Sequence, residues 1–517
     1  MHQQSPQRRL SSWPDFWFGD KPLKHVVLKM QLGDQILTLE PFPAGIPASM
    51  PPPPAGGPDL TALLSDELLL RILAALPDPL HSPASLVCKR WLRLLGRLRR
   101  SLTLLDWPFL YHRLPLRFPD LTDVDLVPAS FASPSSCTAT GGGVLTRGLV
   151  SVRMDPHAEP PIGGCRFLPT DVIDRGLEAL ARGCAGLRKL ALVSAASESS
   201  LLTVAGECAT LQELELHRCT DLALGPISAF KNLQILRLVG SVEGLYGGPG
   251  VTDIGLTILA NGCKRLVKLE LSGCEGSYDG ISAVGRCCLM LEELTICDHR
   301  MDGGWMAALS FCENLKTLRL QSCKKIDTDP GPEEHLGSCP TIERLQLQRC
   351  QLRDKRSLHA LFMVCESVRE IMFQDCWGLD DEMFRITSIG RGIRLLGAGS
   401  LVLFRVGVTE NIMWVKFLSL EGCSLLTTEG LELVILSWKD LQRLVVISCN
   451  KVKDDEVTPA LASLFSVLKE LKWRPDSKSV LDMNLAGTGM GKKGARFFRK
   501  QFLQGRQHLK GKAEENP

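Results

Sequence analysis

Residues 211–219 read LQELELHRC, and the same nine-residue template returns as LVKLELSGC (266–274), LKTLRLQSC (315–323), IERLQLQRC (342–350), VREIMFQDC (368–376), VKFLSLEGC (415–423) and LQRLVVISC (441–449). Apolar residues hold positions 1, 4 and 6, and a cysteine holds position 9. Four further segments keep the apolar positions without the cysteine: LRKLALVSA (187–195), LQILRLVGS (233–241), LEELTICDH (291–299) and LKELKWRPD (468–476). Successive starts lie mostly 22 to 33 residues apart. A fixed spacing of that order marks stacked supersecondary units.

Alternation at positions 4 and 6 predicts a short strand with one buried edge, and the 12 to 15 residues after it predict a helix that closes each turn of chain. One such repeat cannot bury its leucines alone, whereas stacked neighbours share a continuous core. The fold class expected is therefore α/β, a strand-plus-helix solenoid. Positions 3, 5, 7 and 8 are expected to point away from the leucines and to line a concave face. Glu270, Glu293, Arg319, Arg344, Gln346, Arg349 and Asp375 are the contact candidates on that face.

The template resembles the cysteine-containing leucine-rich repeat. Beside the seven cysteines at position 9, Cys184, Cys208, Cys263, Cys288, Cys312, Cys339 and Cys365 each fall three residues before a repeat start. Other repeats place Phe230, Ile412, Trp438 or Phe465 there, so the second column accepts any apolar group. A zinc site does not tolerate such exchange, and the chain has no C-x-x-C pair. Buried structural thiols are expected, with no metal and no cofactor.

Length and composition agree. At 517 residues the chain exceeds what one core supports, so several domains or a repeat array is required. With 44% hydrophobic residues, 23% charged and a net charge of +3, it reads as globular, without a bias toward nucleic acid. The first residues carry no apolar run of signal-peptide length, and no stretch of 18 apolar residues occurs. Reduced thiols in the nucleus or cytoplasm, and no membrane association, are the expectation.

Ahead of the array, LLSDELLLRILAALPDPLHSPASLVCKRWLRLL (63–95) is rich in leucine yet broken by prolines. Ser65 is placed to cap a helix with Asp66 and Glu67 in its first turn, and Leu68, Leu69, Ile72, Leu73 and Leu76 follow at helical spacing up to Pro77. Ser82 with Pro83 predicts the start of a second helix bearing Leu86, Val87 and Trp91. Residues 60–107, with LLSDELLLRILAALP followed by LVCKRW, resemble the F-box, a short three-helix module. That resemblance implies binding to a Skp-type adaptor and through it to cullin. The residues concerned are Leu60, Leu64, Ser65, Leu68, Leu69, Ile72, Leu73, Leu86, Val87, Cys88 and Trp91. Ser65 stands where the family usually has proline. The whole resembles plant F-box/leucine-rich-repeat proteins, which implies a non-catalytic substrate-recognition subunit of a ubiquitin ligase and a protein substrate of unknown identity.

Around these modules the sequence predicts an N-terminal segment (1–40) that forms a small hairpin, and a Pro-rich linker (41–58). An irregular first repeat with a Ser/Gly-rich loop (121–186), the array proper (187–484) and a basic tail (485–517) follow. Residues 386–414 stretch one interval to 47 and follow no template; a loop, a degenerate repeat and sequence foreign to the mature product are all open. SVEGLYGGPGVTD (241–253) predicts a Gly-rich rim loop. Two alternatives to a ligase subunit remain at this point: a free-standing interaction scaffold, and a receptor that senses a small ligand. A nucleotide-binding loop at LAGTGMGKKGARFFRK (485–500) fails because Ala486 and Lys493 occupy defining positions.

Overall fold

The structure is a computed structural model, and it describes residues 60–112, 114–130, 167–194, 197–240, 250–332, 335–387, 414–477 and 479. The expected hairpin, the Pro-rich linker, most of the Ser/Gly-rich loop, residues 241–249, the bulk of 386–414 and the basic tail lie outside those residues. The chain forms two compact units. The first comprises Met1–Arg218 with Ala229–Leu233 and Glu243–Leu245; the second comprises Cys219–Ser228, Gln234–Val242 and Tyr246–Pro517.

In the first unit, helices α1 (Asp66–Ala74), α2 (Asp78–Ser85) and α3 (Lys89–Leu98) precede β1 (Ser101–Thr103), α4 (Pro108–His112), α5 (Leu114–Arg117) and β2 (Asp123–Asp125). Then come α6 (Thr170–Gly183), β3 (Lys189–Val193), α7 (Glu198–Glu207) and β4 (Glu213–His217). The four strands pair in parallel in chain order. Strand β1 falls inside the stretch ascribed to the F-box, one strand more than the template revealed. Trp107 and Tyr111 fasten α4 to the start of α6 by donating to the carbonyl of Val172 at 3.0 and 2.8 Å.

The second unit holds β5 (Ile235–Val239), β6 (Lys268–Ser272), β7 (Glu293–Cys297), β8 (Thr317–Gln321) and β9 (Arg344–Gln348). It continues through β10 (Glu370–Gln374), β11 (Phe417–Glu421), β12 (Arg443–Ile447) and β13 (Glu470–Arg474). All pair in parallel with like template positions side by side: Leu318, Leu345 and Ile371 form one row, Arg319, Gln346 and Met372 the next. The 47-residue interval leaves this register intact, because Glu370 pairs with Phe417 and Gln374 with Glu421.

Most repeats close with a helix, among them α8 (Asp221–Ile227), α9 (Asp253–Gly262), α10 (Tyr278–Cys287), α11 (Lys355–Val364), α12 (Asp381–Ile386), α13 (Thr428–Ile435) and α14 (Pro459–Val467). Two depart from the expectation. Ala307–Phe311 is a 3-10 turn, and the described residues between Gln321 and Arg344 form no α-helix. Pro330, Pro332 and Pro340 account for the second, since each removes a backbone donor.

Where most strands of the array end, position 8 turns left-handed. Arg218, Ser322, Arg349, Asp375 and Ser448 have φ between 51° and 58°, and Gly273 and Gly422 occupy the same position. The position-9 thiol then reaches back to strand carbonyls and adds a weak second bond where a backbone N–H is already accepted, as at Gln348, Gln374 and Ile447. Cys350 donates to Leu320 and Gln348 at 3.4 Å each, Cys376 to Leu347 and Gln374 at 3.3 and 3.5 Å, and Cys449 to Leu420 and Ile447 at 3.6 and 3.4 Å. All fourteen column cysteines are buried and free of disulfides. Burial pushes the thiols of Cys263, Cys274, Cys288, Cys312 and Cys376 up to about 12.

A second device joins successive helix starts. Asp221 accepts from the N–H and Oγ1 of Thr252 at 2.8 and 2.6 Å and from the N–H of Gly255 at 3.1 Å. Asp253 repeats the pattern toward Ser277 N–H (2.8 Å), Ser277 Oγ (2.7 Å) and Gly280 N–H (2.9 Å). Each carboxylate thus caps the helix of the next repeat. A Cβ on Gly255 or Gly280 would come within 2.2 or 2.4 Å of that carboxylate, so only glycine fits.

Two predictions follow from these contacts. Asp253→Ala leaves the Ser277 and Gly280 amides without their acceptor and lowers the stability of the second unit by about 1–3 kcal/mol, measured by urea unfolding. Alkylation of the folded chain at pH 8 labels the part-exposed Cys88 and Cys287 well before the column thiols, which stay buried until the chain unfolds. Peptide mapping by mass spectrometry reads the order.

Candidate functional site

Two surfaces carry the candidate residues: the helical module at 60–98 and the strand face of the second unit turned away from its helices.

The module has a small core of its own, formed by Leu69, Leu73, Ala84, Leu94 and Leu95 with Leu64, Leu70, Leu76, Trp91 and Leu98 packed against it. Arg90 fastens the 3-10 turn Leu60–Leu63 to α1 and α3, donating to Asp66 Oδ1 at 2.7 Å and to the carbonyls of Thr61 and Leu64. The Arg90 guanidinium beside Asp66 holds that carboxyl below its ordinary range. Arg93 adds a second contact to Asp66 at 3.0 Å.

Against that core, the side chains left in solvent are plain. Leu68 and Ile72, one turn apart on α1, are 50% and 49% exposed, while Leu69 and Leu73 are 1% and 0% exposed. Leu86 and Val87, in the turn between α2 and α3, are 84% and 61% exposed. Leu63 and Leu80 join them; the family pattern did not single these two out.

Three expectations need correction. Leu69 and Leu73 face the module's own core and are unavailable to a partner, because neighbours one residue apart lie about 100° apart on a helix. Trp91 packs against the same core. The second helix does not begin at Ser82: α2 starts at Asp78 with Pro79 in its first turn and carries Pro83 inside it. The third starts at Lys89, where the Cys88 sulfur accepts the N–H of Trp91 at 3.5 Å.

Ser65 caps α1, its Oγ accepting the Leu68 N–H at 3.3 Å, with φ −64° and ψ 156°. That φ is the value a proline ring imposes.

On the strand face, several candidates pair with one another. Arg319 donates to Gln346 Oε1 at 2.7 Å and lies 3.4 Å from Glu293, which also takes Lys268 at 2.8 Å. Glu270 takes Arg237 at 3.1 Å. Arg344 donates Nε to Thr317 Oγ1 at 2.9 Å and is exposed. Arg349 and Asp375, expected on the strand, sit instead at the left-handed turn just beyond it. The face is also more covered than expected: Thr295 and Ser419, both at position 5, are buried. Rows of like positions stand about 4.8 Å apart, and longer neighbours close over short side chains. The described residues include no group of His, Cys, Asp and Glu able to hold a metal. No helix among them is long and apolar enough to cross a membrane.

No protein-family model matches the chain. Among curated proteins it is similar to F-box protein SKIP19 of Arabidopsis thaliana, 36% identical over 120 residues, which is 23% of this chain and 37% of that protein. It is also similar to F-box/LRR-repeat protein 12 of Homo sapiens, 24% identical over 340 residues, 60% of this chain and 94% of that protein. The chain thus spans little more than a third of the first relative and nearly all of the second. Of solved structures, that of the yeast Rad7 and Elc1 complex matches 78% of this chain and 92% of its own at 13% identity and a TM-score of 0.31. An internalin from Listeria monocytogenes matches 63% and 89% at 12% identity and a TM-score of 0.32. The two curated relatives, one an F-box protein and the other an F-box/LRR protein, support reading this chain as an F-box/leucine-rich-repeat protein.

The backbone at residue 65 yields a prediction. Ser65→Pro loses one long cap hydrogen bond but fixes a φ the chain already adopts, so stability changes by less than about 1 kcal/mol. Thermal unfolding of the two proteins side by side checks it.

Proposed function

We propose that this chain is the substrate-receptor subunit of a Skp–cullin–F-box ubiquitin ligase. One observation carries the reading: a module that already has its own core keeps Leu63, Leu68, Ile72, Leu80, Leu86 and Val87 in solvent. Large apolar groups gathered on so few residues mark a surface made to be covered by another protein. In F-box proteins that cover is a Skp-type adaptor, which in turn engages cullin. The strand face of the second unit then holds the protein substrate, so that its lysines meet a ubiquitin-charged enzyme at high effective concentration. The chain contributes positioning and no catalytic group, and it works in the nucleus or cytoplasm, where thiols stay reduced.

A Skp-type adaptor is expected to be captured by the full chain and lost on the combined change Leu68→Ala, Ile72→Ala and Val87→Ala. All three side chains are about half exposed or more, so circular dichroism is expected to be unchanged. Failure of the unaltered chain to capture the adaptor overturns the reading in favour of a free-standing scaffold.

A further inference from the structure

The charges on the strand face of β6 to β12 resolve into pairs, with two left over. Across positions 3, 5 and 7 of β6 to β12 the charged residues are Lys268, Glu270, Glu293, Arg319, Arg344, Glu370, Glu421 and Arg443. Lys268 and Arg319 share Glu293, Arg237 takes Glu270, and Arg443 takes Glu370 at 2.7 Å. Among the described residues, Arg344 and Glu421 have no partner of opposite charge. Arg344 is next to Glu370 in the register, but that carboxylate is engaged by Arg443, and Arg344 itself donates to the Thr317 hydroxyl. Among the described residues, the Glu421 carboxylate accepts only the Ser419 hydroxyl, at 3.3 Å.

These two charges stand at opposite corners of one patch. Arg344 is position 3 of β9, and Glu421 is position 7 of β11. Position 5 of β10, on the diagonal between them, is Met372, half-buried and facing outward. Gln348 and Gln374 flank the diagonal, and among the described residues neither side-chain amide has a protein partner. Strands stand about 4.8 Å apart and rise about 3.3 Å per residue, so the diagonal spans roughly 16 Å. Four residue steps of an extended chain cover about 13–14 Å of that distance, and the side chains at the two ends reach the rest.

Resting on the reading of this face as the substrate surface, we infer that β9 to β11 bind an extended peptide segment of fixed polarity. An acidic side chain at one end meets Arg344, an apolar side chain near the middle packs on Met372, and a basic side chain about four residues from the acid meets Glu421. The Gln348 and Gln374 amides, each both donor and acceptor, suit the peptide's main chain, which offers the same groups alternately. Methionine at the centre is pliable and accepts apolar side chains of several shapes. The pairs already formed around the patch disfavour segments of uniform charge, since either sign meets its like on this face.

The inference is tested by selecting ligands from a displayed library of random extended peptides on the full-length chain, without any adaptor. Selected sequences are expected to carry an acid and a base about four residues apart around an apolar residue. A synthetic peptide of the selected sequence is then measured by fluorescence anisotropy. Arg344→Glu or Glu421→Arg alone is expected to weaken it at least about tenfold, the double exchange to restore binding only to a peptide with acid and base interchanged. Both residues are at the surface, and circular dichroism of the variants is expected to match the unaltered chain. Selection of peptides without charge polarity, failure to select any peptide, or indifference to the exchanges overturns it. Capture of a Skp-type adaptor is measured on the same preparation: if it succeeds while the peptides fail, the ligase reading stands and this site falls. If it fails while the peptides bind, the reverse holds.

Discussion

Parallel pairing of strands with like template positions side by side is the constraint on which the rest of the second unit depends. With Leu318, Leu345 and Ile371 in one row, the leucines form columns, and so does every other template position. Chain length can vary only where it leaves those rows undisturbed. Hence β10 and β11 pair without a slip across the longest interval of the array, and β5 and β6 do so across the Gly-rich one. A one-residue shift would turn each leucine outward, and nothing in a polar face would repay that.

The constraint leaves each strand to be followed by a sharp turn and each helix to begin in step with its neighbour. At most strand ends a left-handed residue at position 8 makes the turn. The thiol at position 9, small enough to be buried there, adds a second bond to carbonyls that already accept a backbone N–H. A helix that begins leaves amides without partners. Asp221 and Asp253 satisfy them from the preceding repeat, so that each helix start is tied to its neighbour as well as to its own cap. The stack is thereby held on its helix side by polar contacts and in its interior by apolar ones.

The two candidate surfaces are chemically opposite. On the helical module, solvent meets leucine, isoleucine and valine gathered together; on the strand face it meets charges that mostly neutralise one another. An apolar patch suits a permanent partner, since burying it gains free energy with little demand on geometry. A face of matched charges suits discrimination, because an ill-fitting segment leaves charges unpaired. A fixed attachment and a selective grip are what the proposed role of substrate receptor requires.

The leucine template by itself determined eleven of the strands, the direction of the core and the presence of a separate leucine-rich module. Each of these depends on periodicity, which survives in one dimension. Strand β1 escaped notice because Ser101–Thr103 is too short to show a period, and the start of α2 was misplaced because Ser82 and Pro83, which resemble a helix start, lie inside it. Tertiary structure alone decided which leucines of α1 are spent on the module's own core: Leu68 and Leu69 are identical in sequence terms, and only the packing of α3 separates them. It also decided which charges of the strand face remain available. Arg319 and Arg344 look alike in the sequence, but the pairing of residues brought side by side from different repeats neutralises one and leaves the other open to a ligand.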